Sequence, residues 1–289
     1  MNANIVLGID IGGSHITAAL VDMTRRSIIQ DSYKRQHINS RGNREEIINS
    51  WCAVIGDAFR GTSSKEEKKI GIGMPGPFDY STGISYIQNT EKYDALYGVN
   101  VKKLLAERLG IYVNDIRMMN DAACFLQGEV FGGAAQGCKT AIGITLGTGL
   151  GTSYYCDGVA KDVNLWKMPF KESIAEDYIS TRWFLKMYRA LSGNTVNNVK
   201  ELTALHNTDS TVREIFSEFA HNLAQFISLF VNDTNPEIIV LGGNIANAHA
   251  LFFHYLNIYL KTNKINIPVK RAQLNEEAAI VGAASCFEI

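Results

Sequence analysis

Apolar and polar positions along the chain follow two periods. Ile5-Val6-Leu7-Gly8-Ile9-Asp10 is an apolar run closing on a carboxylate, Gly12-Gly13 is a turn signal, and Ile16 to Val21 resumes strand-like composition. That pattern predicts a β-hairpin, extended by a third strand around Ser27 to Arg35. From Arg44 to Arg60, Ile47, Ile48, Trp51, Val54, Ile55, Ala58 and Phe59 recur at helical spacing, which places one apolar stripe on a helix that should cover the sheet. Gly61 to Lys69 reads as a polar surface loop, and Ile70 to Met74 as a short buried strand. Pro75-Gly76-Pro77 stops that strand, because proline has no N–H to donate to a ladder.

Further on, Val101 to Leu109 predicts a helix, Ile111-Tyr112-Val113 a short strand, and Ala122 to Phe131 a helix with Asn120 or Asp121 as its N-cap. A carboxylate therefore sits where a strand hands over to a helix. Ala141 to Tyr155 is a second hairpin broken by Gly147, Gly149 and Gly151. Thr211 to Val231 predicts a long helix, Glu237 to Leu241 a strand ending in Gly242-Gly243, and Glu276 to Cys286 a closing helix capped by Asn275. The run Gly8-Ile9-Asp10-Ile11-Gly12-Gly13-Ser14 is echoed 135 residues on by Gly143-Ile144-Thr145-Leu146-Gly147-Thr148-Gly149. Such a repeat predicts two similar α/β lobes, each a hairpin-led sheet flanked by helices, with a ligand cleft where they face each other. The expected division is residues 1–118 and 119–289, with the closing helix over 275–288 packing back on the first lobe.

Composition narrows the function class. With 46% hydrophobic and 20% charged residues in a chain of 289, a sizeable core can form and disorder is excluded. Lys and Arg total 28 against 29 Asp and Glu, a net charge of -1, so nothing draws the whole chain to nucleic acid or anionic lipid. Apolar runs fall far short of the ~20 residues of a membrane span, and Met1 leads straight into a strand-like run without a basic or cleavable segment, so a cytoplasmic location is expected. Cys52, Cys124, Cys138, Cys156 and Cys286 show no CxxC pair and no histidine at zinc-ligand spacing, the pattern of reduced thiols.

The chemistry concentrates in the glycine turns. Without a Cβ, such turns let several main-chain N–H groups converge on one phosphate. The first turn offers Gly12, Gly13 and Ser14, with Asp10 at a strand end where it could hold hydrated Mg²⁺. The second offers Gly147, Gly149 and Gly151 beside the hydroxyls of Thr145, Thr148 and Thr152. Taken singly either is more often a mere turn; the pair in equivalent places points to phosphate. Two other phosphate loops are set aside. Gly132 to Thr140 approaches GxxxxGK[ST], but Cys138 separates glycine from lysine. Gly71, Gly73 and Gly76 match GxGxxG literally, but Pro75 and Pro77 stand where a helix should open, which disfavours NAD.

Six motifs in order resemble the ROK sugar kinases, within the superfamily of actin-like ATPases and hexokinases. They are Asp10-Ile11-Gly12-Gly13-Ser14-His15, Gly71-Ile72-Gly73-Met74-Pro75-Gly76-Pro77, Asn120-Asp121-Ala122, Thr145-Leu146-Gly147-Thr148-Gly149-Leu150-Gly151, Leu241-Gly242-Gly243 and Ala279-Ile280-Val281-Gly282-Ala283-Ala284. The resemblance implies an α/β fold of two ribonuclease H-like lobes around a central cleft, ATP and Mg²⁺ as cofactors, and a homodimer. It implies phosphorylation of a hexose or N-acetylhexosamine, with Asp121 as general base toward the attacking hydroxyl. On the residues alone, Asp121 could instead cap its helix, and the two roles are compatible. By the same resemblance Asn120 and Asn89 bind sugar hydroxyls, Gly76 lines the sugar pocket, Gly242 and Gly243 flank the adenosine, and Glu176 is the sugar-binding glutamate. Asn89 could instead be an ordinary turn residue and Glu176 a solvated helix-face carboxylate.

Three positions depart from the pattern. Many members carry Glu-x-Gly-His and a CxCGxxGC zinc cluster where this chain reads Val163 to Ile174, so structural zinc is not expected. Aligning Met168-Pro169 puts Asn164 at the Glu and Lys167 at the His, and a protonated lysine has no lone pair to bind zinc or accept a hydrogen bond. Lys167 could also be a surface residue. His15 stands where a lysine is usual; a mostly neutral imidazole neutralises phosphate less well, unless residue 15 points away. These departures keep two alternatives open, a sugar-sensing regulator and a degenerate binder without turnover. Only seven residues precede Gly8, so no helix-turn-helix, and hence no direct DNA binding, is expected.

Overall fold

The computed structural model describes residues 4–60 and 68–288; of the expected surface loop, residues 61–67 lie outside them. The chain forms two compact units. The first comprises the residues through Gly137, Gly158–Lys161 and those from Glu276 onward; the second comprises Cys138–Asp157 and Asp162–Asn275. The expected boundary at 118/119 thus lies upstream of the observed division, because the helix that follows packs with the closing helix in the first unit.

In the first unit β1 (Ile5–Ile11) turns into antiparallel β2 (His15–Asp22), with Ile11 opposite Ile16. The expected third strand is split into β3 (Ser27–Ile28) and β4 (Lys34–His37) by a 3-10 turn over Gln30–Ser32. Next come α1 (Arg44–Ala58), β5 (Ile70–Met74), the short pair β6 (Phe78–Asp79) and β7 (Ile84–Ser85), α2 (Val101–Leu109), β8 (Ile116–Asn120) and α3 (Asp121–Gly132). The sheet runs β3-β2-β1-β5-β8, with β4 also on β2. Parallel pairing sets Asp10 beside Gly73 and Met74 beside Asn120. The carboxyl ends of β1, β5 and β8 therefore share one edge, where α/β sheets place ligands.

Helices α1 and α2 bury their apolar faces in this sheet's core. The predicted stripe on α1 is buried through Ile47, Ile48, Trp51, Val54, Ile55 and Ala58, and Asn43 with Glu46 forms a reciprocal capping box at its start. The closing helix, α9 in chain order (Ala278–Ser285), lies against bare backbone. A Cβ on Gly8 would come 2.1 Å from Ile280 O, and one on Gly71 1.8 Å from Ala283 O. Only glycine permits that approach.

The second unit opens with β9 (Ala141–Leu146) and β10 (Leu150–Cys156), followed by β11 (Val159–Asp162), whose residues 159–161 belong to the first unit. After β12 (Pro169–Phe170) and β13 (Ser173–Ile174) come α4 (Ala175–Tyr178), α5 (Thr181–Ser192), α6 (Val199–Leu205), α7 (Ser210–Thr234), β14 (Ile238–Gly242), α8 (His249–Thr262) and β15 (Val269–Arg271). Its strands run β10-β9-β14-β15, a hairpin followed by two parallel strands. The order β2-β1-β5-β8 of the first unit is the same arrangement, so the sequence repeat is a repeat of topology. Phe184, Phe216, Phe219, Phe226 and Phe252 centre the second core, a dense aromatic cluster with ring pairs such as Phe184–Phe219 at 4.6 Å.

Two local expectations are corrected. Ile111 to Val113 is not a strand: Val113–Asp115 is a 3-10 turn and the strand is β8, whose Arg117 and Asn120 interrupt the apolar signal. Asn275 does not cap the closing helix. It lies in a 3-10 turn over Asn275–Glu277 at φ 52°, and its side-chain oxygen accepts from Arg271 at 3.0 Å. Among the described residues no helix is long and apolar enough to cross a membrane.

Candidate active site

The candidate site of the first unit grows from the β1–β2 turn. Gly12 N–H closes the turn on His15 O at 2.9 Å, while the N–H groups of Gly13 and Ser14 meet no acceptor among the described residues. Two adjacent donors are thus left for an anion. The turn is clamped from a distance. Ser40 Oγ donates to Gly13 O at 2.7 Å, the Tyr93 hydroxyl donates to Gly12 O, and Tyr93 N–H donates to Ser40 O at 2.7 Å. Ser14 is exposed, and its hydroxyl lies 2.9 Å from His15 Nδ1. The His15 ring meets His37 edge-on at 5.3 Å.

Asp10 and Asp121 give this edge its electrostatics. Burial pushes the Asp10 carboxyl up to about 7; the Asp121 charge adds to this, Arg35 opposes it and Glu276 reinforces it. A buried carboxylate facing a second carboxylate suits a divalent cation held through one or two protein oxygens, the way Mg²⁺ is bound with substrate phosphates. Asp121 is half-buried at the first turn of α3. The cap of that helix is Asn120, whose Oδ1 accepts from Ala122 N–H at 2.8 Å and Ala123 N–H at 3.1 Å. Asn120 Nδ2 donates to the Tyr80 hydroxyl at 3.3 Å, and Tyr80 donates to Met74 O at 3.0 Å. Gly76 abuts the same hydroxyl, since a Cβ there would lie 3.2 Å from it. Gly76, Tyr80 and Asn120 thus form one cluster, and Asp121 follows Asn120 in the chain. Asn89 sits in left-handed backbone at φ 60°, and among the described residues no side-chain hydrogen bond ties it to that cluster.

The glycine turn of the second unit repeats the local geometry of the first. Gly147 N–H donates to Gly149 O at 3.0 Å, and the N–H groups of Thr148 and Gly149 meet no acceptor among the described residues. Gly243, at φ 83°, closes on the end of β9: a Cβ there would lie 2.4 Å from Leu146 O. Glu176 sits on the turn itself. Its Oε2 accepts from Leu150 N–H at 3.0 Å, its Oε1 from Arg182 at 2.5 Å, and a Cβ on Gly149 would lie 2.6 Å from Oε2. Of the three hydroxyls expected around this turn, Thr148 is exposed, whereas Thr152 is buried and accepts from Leu165 N–H at 3.0 Å.

Asn164 and Lys167 bracket the 3-10 turn Leu165–Lys167, with Asn164 at φ 54°. This turn is carried to α4 by the β12–β13 pair and by Ala175 N–H, which donates to Met168 O at 3.0 Å. The sequence reading overlooks three neighbours. Asp162 takes Asn164 N–H at 2.9 Å, and burial raises its carboxyl while Asn164 N–H and Lys167 oppose the shift. Tyr80 and Tyr93 join the candidate site of the first unit from loops without a motif. Among the described residues, no three His, Cys, Asp or Glu side chains gather into a metal-holding group.

A profile of the ROK family matches residues 6–161 and 171–288. The chain belongs to the ROK family. It is 25% identical to the N-acetyl-D-glucosamine kinase of Mannheimia succiniciproducens, with 98% of this chain and 99% of that protein covered. It is also 25% identical to the glucokinase of Thermotoga maritima, over 98% of this chain and 97% of that one. In fold it is similar to a ROK glucokinase from Streptomyces griseus in complex with glucose and AMPPNP, at TM-score 0.79, 22% identity, and 98% and 99% coverage. The actin/hexokinase-type α/β fold expected for ROK proteins is therefore the fold of this chain.

Proposed function

We propose that this ROK protein transfers the terminal phosphate of ATP to a hydroxyl of a hexose or N-acetylhexosamine. The carrying observation is a pair of glycine turns, each leaving two N–H donors unengaged, with Asp10 and a half-buried Asp121 at the sheet edge of the first. The names of the relatives, N-acetyl-D-glucosamine kinase and glucokinase, support the same reaction class.

In the proposed step the sugar hydroxyl oxygen bonds to the γ-phosphorus, the bridging bond to the β-phosphate oxygen breaks, and ADP leaves with that electron pair. Asp121 accepts the hydroxyl proton. Gly13 and Ser14 orient phosphate oxygens through their N–H groups, and by family resemblance Gly12, Gly147, Thr148 and Gly149 are nucleotide-binding as well. Gly242 and Gly243 flank the adenosine, and Gly76, Asn89 and Asn120 meet the sugar. Asp10 would hold Mg²⁺, which when bound would supply charge neutralisation to the phosphates. Glu176 anchors the second turn and, with Asn164 and Lys167 carried to its helix, shapes sugar choice. The reading extends to a homodimer acting in the cytoplasm without nucleic acid.

A coupled ADP-release assay across a sugar panel tests this. Wild type should release ADP with at least one hexose or N-acetylhexosamine and Asp121→Ala should not. Equal silence of both folded proteins on every sugar would falsify the proposal.

A further inference from the structure

The first glycine turn carries no lysine or arginine, yet one ammonium reaches it from 79 residues away. A Cβ built on Gly13 lies 2.8 Å from Lys92 Nζ and 2.9 Å from Lys92 Cδ and Cε. The lysine side chain thus lies along the turn, in space that any other residue at position 13 would take.

The backbone around Lys92 is fixed to the same turn. Tyr93 is 1% exposed, stacks edge-on against Trp51 at 5.5 Å, and bonds to Gly12 O and Ser40 O. Asn89, Glu91 and Tyr93 each adopt φ 60°, a left-handed conformation that costs side-chain-bearing residues energy and persists only where surroundings enforce it. Thr90 Oγ1 closes the segment on Lys92 O at 2.9 Å. Neighbouring carboxylates are engaged elsewhere: Glu91 pairs with Arg41, and Asp94 accepts from Thr90 N–H at 3.3 Å. The Asp10 charge acts on the Tyr93 hydroxyl, which places this segment near the Asp10 edge. His15 is occupied with Ser14 and His37.

We propose that Lys92 is the phosphate-binding cation of the first glycine turn, contacting the terminal phosphate of the nucleotide held by Gly13 and Ser14. An ammonium is a compact point charge suited to phosphate oxygens, and it stands at a turn whose own residues, Gly12 to Ser14, include no lysine or arginine. The inference rests on the kinase reading for what Lys92 does to turnover, but not for what it does to binding.

The test titrates Mg-AMPPNP and Mg-ADP by calorimetry into wild type, Lys92→Met, Lys92→Gln and Lys92→Arg, alongside steady-state kinetics on the accepted sugar. Either neutral variant should weaken Mg-AMPPNP about tenfold or more and Mg-ADP less than about threefold, as expected for loss of one charge-assisted contact. Turnover kcat should fall about 30-fold or more with the sugar KM unchanged, and Lys92→Arg should recover most of both losses. Neutral variants that bind both nucleotides as wild type does, or lose both equally, overturn the assignment. A wild type that phosphorylates sugar with neutral variants at the same kcat removes Lys92 and leaves the kinase reading standing. The reverse result, Lys92-dependent discrimination between the nucleotides without ADP release on any sugar, removes the kinase reading alone. Wild type that binds neither nucleotide overturns both.

Discussion

Asp10 and Asp121 lie within each other's electrostatic reach in the first unit, and the Asp121 charge, second only to burial, holds the Asp10 carboxyl up at about 7. Without a cation, that arrangement is a cost to folding. A carboxyl that binds its proton more tightly in the folded state destabilises the fold as pH rises from the unfolded value of 3.8 to about 7, and the full penalty stays above that. In EDTA, Asp10→Asn should therefore melt higher than wild type at pH 8, by about 2–4 kcal/mol in denaturant titration. The gain should shrink below pH 7 and vanish near pH 4. The same variant should lose about 100-fold or more in kcat with Mg²⁺ and ATP. A substitution that is neutral in EDTA at pH 8 would show that Asp10 is not held in the environment described.

The division of labour between Asn120 and Asp121 gives a second prediction. Asn120 is the N-cap of α3, accepting from Ala122 and Ala123 N–H, while Asp121 Oδ1 only shares the Ala122 N–H at 2.9 Å. Asn120→Ala should cost about 1 kcal/mol of stability. Asp121→Asn should keep most of the stability while kcat falls about 100- to 10,000-fold, the range for a lost general base. Nucleotide affinity should stay within about threefold of wild type. If Asp121→Asn instead unfolds the protein and retains turnover per folded molecule, the carboxylate is structural.

Glu176 provides a third. By family resemblance it reads as a sugar ligand, yet its two oxygens hold Leu150 N–H and Arg182, against Gly149. A glutamate that only met sugar would change the sugar KM alone. Because Glu176 anchors the second turn, Glu176→Ala should raise the KM for ATP about fivefold or more as well as weakening sugar binding. An ATP KM equal to that of wild type would remove the anchoring role.

Much of this was legible before the fold, for identifiable reasons. Hairpins, glycine turns and the α1 stripe are local, and the repeat of Gly8 at Gly143 encodes the shared sheet order because the same β turns need the same small residues. Where the reading slipped, tertiary structure decided. Ile111 to Val113 is as apolar as a strand, but pairing with β5 selects Ile116–Asn120 instead. Thr152 looks like a phosphate hydroxyl by spacing, yet the alternation of β10 turns it inward to Leu165. Helix α8, with apolar residues on nearly every side of Leu251 to Leu260, lacks a clean period. Helix α5 carried one in Trp183, Phe184, Met187 and Tyr188, a signal overlooked because no motif lies there. Lys92 belongs to no motif at all: only the fold brings it to Gly13.

The docking of α9 yields the last prediction, because it rests on two missing side chains. Gly71 faces Ala283 O so closely that a Cβ would lie 1.8 Å from it, and the obstacle is backbone rather than a side-chain tip that could swing away. Gly71→Ala must push α9 off β5, opening the contact that ties the chain's end to the first sheet, and should cost about 3 kcal/mol or more. Gly56 supplies the contrast. It lies within α1 with nothing within 4 Å of its would-be Cβ, so Gly56→Ala should stabilise by about 0.5–1 kcal/mol through helix propensity alone. At roughly 2–4 °C per kcal/mol for a chain of this size, calorimetric melting should separate the two variants in opposite directions from wild type. Equal melting temperatures for Gly71→Ala and Gly56→Ala would mean that α9 does not pack on β5 at this distance.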